Sequence, residues 1–283
     1  MKLSKNNFLE IAKNISIIEN DHNKAADIIK KLSKKKYYVI GMTGSPGVGK
    51  SSLTDILSLN FLKLDKTAII AVDPSSPFTG GAFLGDRIRM KESSSKGVFI
   101  RSLASRGSVG GLNPSVYDTV EYLGRSGFKY IIIETVGTGQ AETDIKNIAD
   151  MVLLVLSPGN GDEIQSMKAG IMEIGDIYVV NKSDLQGAKN LFVKIKSILD
   201  LSNKDNEVVL TSSLEKESVN LLFKKILIEL NKRDNCKEIE NKRKINRLLN
   251  AIMKEIKYKH MDFKSLEKIY NFVREGSDGR KED

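Results

Sequence analysis

Residues 44–51 contain the pattern that most limits what this chain can fold into. They read Gly-Ser-Pro-Gly-Val-Gly-Lys-Ser and match G-x-x-x-x-G-K-[ST] at every fixed position. A β-rich run precedes the match at 37–43, and a helical pattern follows it over 51–63. In such a setting the glycines let successive backbone N–H groups turn inward around an anion, and the helix directs the positive end of its dipole at it. The pattern therefore predicts a strand, a phosphate-binding loop and a helix, in that order.

The side chains of this loop have separate expected roles. Lys50 would place its ammonium at the β- and γ-phosphates of a nucleotide and serve catalysis, and the Ser51 hydroxyl would be one ligand of Mg²⁺. We take the whole loop and the next residue as candidates for nucleotide binding: Gly44, Ser45, Pro46, Gly47, Val48, Gly49, Lys50, Ser51 and Ser52.

Short apolar runs without polar alternation recur along the rest of the chain. They lie at 67–72, 98–100, 130–133, 151–156, 177–180 and 208–210, with helical patterns between them. Continuous apolar strands are typical of a parallel sheet that helices cover on both faces. We therefore expect an α/β fold with a doubly wound, mostly parallel sheet.

Both ends of the chain show helical rather than strand patterns. Apolar residues recur at helical spacing through 8–32, with a polar break at 20–23, which predicts a helical hairpin. After about residue 230 the pattern becomes a long lysine-rich helical stretch. We expect an N-terminal helical extension at 1–36, a nucleotide-binding domain at 37–230 and a C-terminal helical segment at 231–283.

A second motif indicates which base is bound. The run 177–180 ends in Asn181, Lys182, Ser183 and Asp184, which resembles the N-K-x-D box of GTPases. The Asp184 carboxylate can accept from N1–H and from the 2-amino group of guanine, whereas adenine offers neither donor. The aliphatic stem of Lys182 can lie over the base, and Asn181 would tie the box to the phosphate loop. Ser212, after the next apolar run, is the candidate of a second base-contacting loop. The expected ligands are GTP and GDP.

Three carboxylates are candidates for catalysis and for Mg²⁺, together with Ser51 for the metal. Glu134 directly follows the run 130–133, where an acid of the Walker-B type belongs, while Asp73 and Asp86 lie at a strand end and in a glycine-rich loop. For Asp86, an exposed acid at a helix N-terminus fits the residue pattern about as well.

Composition excludes several other classes of protein. One cysteine, Cys236, and two histidines, His22 and His260, offer no soft-ligand cluster, which argues against a metal-delivery protein. The net charge of +9 lies in 1–36 and 231–283, where lysines alternate with apolar residues as on solvated helix faces, so we expect no nucleic-acid partner. No apolar run reaches the roughly 18 residues of a membrane helix, and we expect a cytoplasmic protein without a membrane partner.

Longer segments of the sequence indicate which family of GTPases the chain resembles. The segments 73–82, 85–90, 100–107, 134–140 and 158–165 resemble the MeaB/ArgK family, whose members are GTPases associated with methylmalonyl-CoA mutase. The resemblance runs from about residue 11 to 230. It implies a G-protein chaperone that binds an adenosylcobalamin-dependent acyl-CoA mutase, gates loading of its cofactor, and protects or reactivates it. It also implies that Asp73 and Asp86 belong to a first switch near Mg²⁺, Glu134 to a second, and Gln165 and Lys168 to a third that senses the partner.

Two features depart from the family pattern, and a second function stays open. Residues 231–283 resemble the dimerisation arm of the family only in being helical, so their apolar stripe either forms a homodimer or packs on its own domain. This stripe consists of Ile245, Leu248, Leu249, Ile252 and Ile256. The second departure is Ser213, which stands where an alanine is common in the family.

The alternative function is an ATPase or kinase component of basic amino-acid (arginine/ornithine) transport. Binding of ATP as tightly as GTP would favour this alternative.

Overall fold

The computed structural model describes residues 5–73, 90–104, 112–135, 141–159, 169–202 and 206–233, together with Asn241, Arg243, Ile245, Asn246, Leu248 and Leu249. The candidates Asp86, Gln165 and Lys168 lie outside the described residues, as do Ile252 and Ile256. For Asp73 the backbone is described and the side chain is not.

A parallel sheet forms the centre of the described chain. Its strands are β1 Tyr38–Thr43, β2 Thr67–Asp73, β3 Phe99–Ala104, β4 Tyr130–Thr135, β5 Met151–Leu156, β6 Ile177–Val180 and β7 Glu207–Leu210. They follow the order β3-β2-β4-β1-β5-β6-β7, and each neighbouring pair is parallel. The prediction of a doubly wound parallel sheet is confirmed. Because β1 lies in the middle, the loop that follows it meets the loops of strands on both sides.

Helices cover both faces of this sheet. In chain order they are α1 Lys5–Asn20, α2 His22–Lys30, α3 Lys50–Leu62, α4 Lys91–Lys96, α5 Pro114–Arg125, α6 Ala141–Asp144, a 3₁₀ turn Ile145–Asn147, α7 Ala169–Ile174, α8 Ala188–Leu201 and α9 Lys216–Lys232. Successive residues of a strand point to opposite faces. Accordingly Val39 of β1 belongs to the core beneath α1, α2 and α5, whereas its neighbour Ile40 belongs to the core beneath α3 and α9.

The predicted N-terminal hairpin packs on the sheet rather than standing apart. Ile15 and Ile18 of α1 are fully buried in the same core as strand residues of β2 and β4. Asn14 Nδ2 donates to the Tyr122 hydroxyl of α5 at 2.9 Å, and the Phe8 ring meets Phe99 of β3 edge to face at 5.6 Å between centroids. Helices α1 and α2 therefore complete the core on the β3 side of the sheet.

Paired charges hold the edge of the sheet where the strands begin, which we call the amino edge. Asp150 Oδ2 accepts from the Val39 amide at 2.6 Å, and its other oxygen pairs with Arg243. Asp176 Oδ2 accepts from the Val152 amide at 2.7 Å, and its Oδ1 pairs with Arg233 at 3.1 Å. Burial raises the pKa of Asp150, against the opposing attraction of Arg243. Two aspartates thus hold the starts of β1 and β5, and arginines from the C-terminal part of the chain neutralise them.

Candidate nucleotide site

The loop between β1 and α3 requires glycine at two positions for close approach. Gly44 has φ of 141°, and a Cβ there would lie 2.1 Å from the Val155 carbonyl oxygen. Gly49 has φ of 92°, and a Cβ there would lie 2.4 Å from Asn181 Nδ2. Larger residues would separate the loop from β5 and from the segment after β6. These glycines therefore let the loop lie against both neighbours as well as turn.

The Lys50 side chain is held inside the loop by backbone carbonyl groups of the loop. Its ammonium donates to the Gly44 carbonyl at 2.7 Å and to the Ser45 carbonyl at 2.9 Å, and the residue is 6% exposed. By contrast Ser45, Pro46 and Gly47 form the exposed crest of the loop. The cation is thus positioned where the loop curves around, which is the place for a phosphate.

The start of α3 adds an electrostatic component. Its N-cap is Gly49, no side chain caps the first turn, and no acidic residue lies in that turn. The first N–H groups of a helix have no partners within the helix and carry its partial positive charge. Over the 13 residues of α3 the dipole is well formed, so its N-terminus suits an anion.

Two candidate metal ligands lie together at the edge where the strands end, the carboxyl edge. Ser51 Oγ, in the first turn of α3, donates to Glu134 Oε1 at 2.5 Å. Glu134 lies near the end of β4, in register with Met42 of β1, which brings it beside the phosphate loop. Hydroxyl and carboxylate oxygens are the ligands that Mg²⁺ prefers, and the pair fits that ion. Within the described residues no cluster of three or more His, Cys, Asp and Glu is present.

Asn181 joins the segment 181–184 to the phosphate loop. Its Nδ2 donates to the Val48 carbonyl at 2.8 Å, and its Oδ1 accepts from Thr211 Oγ1 at 3.2 Å. The residue is 1% exposed. The contact with the loop is the one that the sequence predicts. The sequence places Thr211 in the expected second loop, directly after an apolar run, but it does not predict the hydrogen bond from Thr211 to Asn181.

Asp184 and Ser212 also come together at the carboxyl edge. Ser212 Oγ donates to Asp184 Oδ1 at 2.6 Å, and the Ser183 amide donates to the Thr211 carbonyl at 2.9 Å. Lys182 has a left-handed backbone with φ of 57°. The loops after β6 and β7 thus form one unit, which carries an acidic side chain at its exposed end.

Beneath this unit, Tyr178 of β6 is fully buried and donates its hydroxyl to the Met172 carbonyl at 2.5 Å. Burial, followed by the charge of Asp176, raises the pKa of Tyr178 to about 12. The phenol therefore stays neutral at physiological pH and serves to support the strand.

A glycine-rich phosphate loop between β1 and α3, with an Asn-Lys-Ser-Asp segment directly after β6, defines the class: this is a P-loop GTPase. The family model described as methylmalonyl-CoA mutase-associated GTPase MeaB matches residues 11–264, and the chain belongs to that family.

The chain is similar in sequence to known proteins and in fold to a solved structure. A Pyrococcus horikoshii protein named as a GTPase is 47% identical over 219 residues, 74% of this chain and 67% of that protein. The mitochondrial methylmalonic aciduria type A homolog of Caenorhabditis elegans is 43% identical over 148 residues, 51% of this chain and 37% of that protein. The structure of a LAO/AO transport system kinase has a TM-score of 0.65 at 18% identity, covering 97% of this chain and all of that one, which shows the fold alone. In the described residues no helix is long and apolar enough to cross a membrane.

Proposed function

We propose that this protein binds GTP with Mg²⁺, hydrolyses it to GDP and phosphate, and acts as a G-protein chaperone of an adenosylcobalamin-dependent acyl-CoA mutase. In this role it gates loading of the mutase cofactor and protects or reactivates methylmalonyl-CoA mutase or a related enzyme. The observation that carries the proposal is the family match over residues 11–264. The joined loops after β1, β6 and β7 support the nucleotide part of it.

In this proposal separate sets of residues bind the phosphates, the Mg²⁺ ion and the base. The amides of Gly44–Ser51 and the Lys50 ammonium hold the phosphates, Ser51 and Glu134 hold Mg²⁺ with Asp73 and Asp86 as further candidates, and Asn181, Lys182, Asp184 and Ser212 hold the base. Mg²⁺ would neutralise charge on the β- and γ-phosphate oxygens.

Hydrolysis without a partner is expected to be slow. An arginine that reaches the transferred phosphate accelerates such reactions by orders of magnitude. Arg101, one of the arginines in the segments that resemble the family, instead pairs with Glu19 of α1 and donates to Ser16 Oγ at 3.1 Å. Arg87, Arg89 and Arg106 lie outside the described residues. We expect intrinsic turnover below about 10⁻² s⁻¹ and acceleration by the mutase.

The test is a GTPase assay with the mutase that the protein captures from its native cell. We expect the mutase to raise turnover at least about tenfold, and Lys168→Ala to lose most of this increase while keeping GDP affinity, since coupling between sites is typically about 1–3 kcal/mol. Lys189→Ala, which removes an exposed lysine of α8, is the matched control. Full stimulation of Lys168→Ala by the mutase would contradict the role of Lys168 in a third switch. Absence of any captured mutase would contradict the chaperone role.

The second candidate is an ATPase or kinase component of basic amino-acid transport, which the LAO/AO transport system kinase exemplifies by its name. Asp184 separates the two candidates, because its carboxylate matches the donors of guanine and not the edge of adenine. Calorimetric titration with GTP and ATP decides: equal affinities would favour the transport component.

We also propose a homodimer formed through the C-terminal segment. Arg243 and Asn246 contact residues 147–150 of their own chain, whereas Ile245, Leu248 and Leu249 remain 53%, 62% and 47% exposed. Apolar surface of this kind is stabilised by burial against a second copy. A point substitution suits the test, because truncation would also remove Arg243 from Asp150.

We expect Leu248→Glu to reduce the mass in light scattering from that of a dimer to that of a single chain of 31.4 kDa. Leu201→Glu, at an 86% exposed site on α8, is the control and should leave the dimer intact. A dimer that survives Leu248→Glu would place its interface elsewhere.

A further inference from the structure

Helix α4 begins without a cap from its own residues. Its N-cap is Met90, whose side chain makes no capping hydrogen bond. The first amides of a helix have no partners within the helix, so they need acceptors from elsewhere. Here the acceptor comes from α3, because the Ser93 amide in the first turn of α4 donates to Asp55 Oδ1 at 3.0 Å. Asp55 therefore caps a helix to which it does not belong.

Further contacts hold the start of α4 against the middle of α3. Ser93 Oγ also donates to Asp55 Oδ1, and it lies 3.0 Å from the Asp55 carbonyl oxygen. Ser58 Oγ, about one turn further along α3, lies 2.7 Å from Ser93 Oγ. Ser58 and Ser93 are fully buried, and so is Met90, which belongs to the core beneath α3 and α9. The place at which the chain enters α4 is therefore fixed relative to α3.

The position of Asp55 on α3 connects this cap with the proposed metal site. Ser51, whose Oγ contacts Glu134, and Asp55 lie on one face of α3, about 6 Å apart along its axis. The connection from β2 to β3 runs from the carboxyl edge to the amino edge, and α4 is its last part, so the start of α4 is the end closer to the carboxyl edge. Asp86 precedes Met90 by four residues in the sequence. Four residues reach at most about 14 Å, which is enough to extend from the start of α4 toward Ser51.

We infer that Asp55 is a positioning residue for the Mg²⁺ site: by capping α4 it holds the segment that precedes Met90 close to Ser51. The inference rests on the proposed function, in which Asp86 of that segment is a candidate for Mg²⁺. Asp55 itself contacts neither the metal nor the nucleotide in this role, since its contribution is the hydrogen bond that places α4. Loss of the cap should therefore weaken the Mg²⁺-dependent part of the activity and spare the binding of phosphate by the loop.

The experiment measures the Mg²⁺ concentration that gives half-maximal GTP hydrolysis by the full chain. We expect Asp55→Ala to raise this concentration about 3- to 10-fold, the range that loss of a helix cap produces. GDP affinity in EDTA should change less than about twofold, because the phosphate loop is unaltered. Asp55→Asn keeps an oxygen in place of Oδ1, and asparagine caps helices as well as aspartate does. This variant should therefore retain the wild-type Mg²⁺ requirement.

Asp21→Ala is the matched control, since it removes an aspartate that accepts from the Lys24 amide at 3.1 Å in the first turn of α2. It should lower the melting temperature, as Asp55→Ala does, and leave the Mg²⁺ requirement unchanged.

Three outcomes would overturn the inference. The first is an unchanged Mg²⁺ requirement in Asp55→Ala. The second is an Asp55→Asn variant that behaves like Asp55→Ala, because the charge rather than the cap would then be responsible. The third is additive effects of Asp55→Ala and Asp86→Asn, because residues that act through one another are not additive. Failure of the proposed function would be visible separately, as wild-type hydrolysis that needs no Mg²⁺.

Discussion

In the proposed nucleotide site, one carboxylate, that of Asp184, would select the base. Asp184 accepts a hydrogen bond from Ser212 Oγ at 2.6 Å, and the residue is otherwise exposed at the carboxyl edge. An ionised carboxylate has about four acceptor positions, so the bond to Ser212 leaves capacity for the two donors of guanine. Ser212 thereby orients the Asp184 carboxylate and leaves it able to accept further hydrogen bonds.

Exchanging this carboxylate for an amide should change the base that is bound. In Asp184→Asn one acceptor becomes an N–H donor, which meets the 2-amino donor of guanine but matches the 2-oxo group of xanthine. We expect GDP affinity to fall at least about tenfold and XDP affinity to rise, since hydrogen bonds to charged groups contribute about 1.5–3 kcal/mol. Competition titrations measure both, with Asp200→Asn on the exposed side of α8 as control. An unaltered ratio of GDP to XDP affinity would exclude Asp184 from the base site.

At the scale of elements, contiguous patterns predicted most of what is observed. The phosphate loop and the Asn181–Asp184 box are short, and their chemistry is local, so their placement at strand ends could be expected. Strand β3 shows the limit: an apolar run ended at residue 100, yet the strand continues to Ala104. Its polar Arg101 is compensated by Glu19 of α1, a distant contact that no local pattern indicates. The Thr211–Asn181 bond was missed for the same reason.

The close contact between Gly49 of the phosphate loop and Asn181 after β6 can be tested by substitution. Gly49→Ala would place a Cβ 2.4 Å from Asn181 Nδ2 and force a φ of 92° on alanine. We expect GDP affinity to fall on the order of tenfold or more, with a stability loss of about 1–2 kcal/mol from the left-handed backbone. Gly97→Ala, with φ of 103° and nothing within 4 Å of its Cβ, should share the stability loss and keep GDP affinity. Similar titration curves for the two variants would contradict the role of this contact.

For the whole molecule, the amino edge matters because the C-terminal part of the chain closes it. Asp150 and Arg243 are 11% and 13% exposed, and Asp150 also holds the first strand through Val39. A buried carboxylate that loses its partner typically costs about 3–5 kcal/mol, whereas an exposed ion pair contributes about 1 kcal/mol or less. From sequence these aspartates are ordinary polar residues before strands, so this arrangement required the structure.

Arg243→Ala should therefore destabilise the fold by about 3 kcal/mol at neutral pH, measured by denaturant unfolding. Removing the cation raises the folded-state pKa of Asp150 further above its unfolded value. Protonation of Asp150 therefore stabilises the folded state of the variant more than that of the wild type. The deficit relative to wild type should shrink when the pH is lowered from neutral to mildly acidic. Lys232→Ala, which breaks an exposed pair with Glu229, is the control and should cost about 1 kcal/mol or less at either pH. A deficit that is independent of pH would contradict the assignment to Asp150.

The central place of β1 also has a consequence during synthesis on the ribosome. Tyr38 of β1 pairs with Tyr130 of β4, and Ile40 pairs with Met151 of β5, so both neighbours of this strand are translated long after it. At about 5–20 residues per second, the nascent strand waits on the order of 5–20 s before its backbone groups find partners. During that interval its apolar residues stay available to chaperones that bind extended hydrophobic segments. The phosphate loop can take its final form only after β5 has emerged.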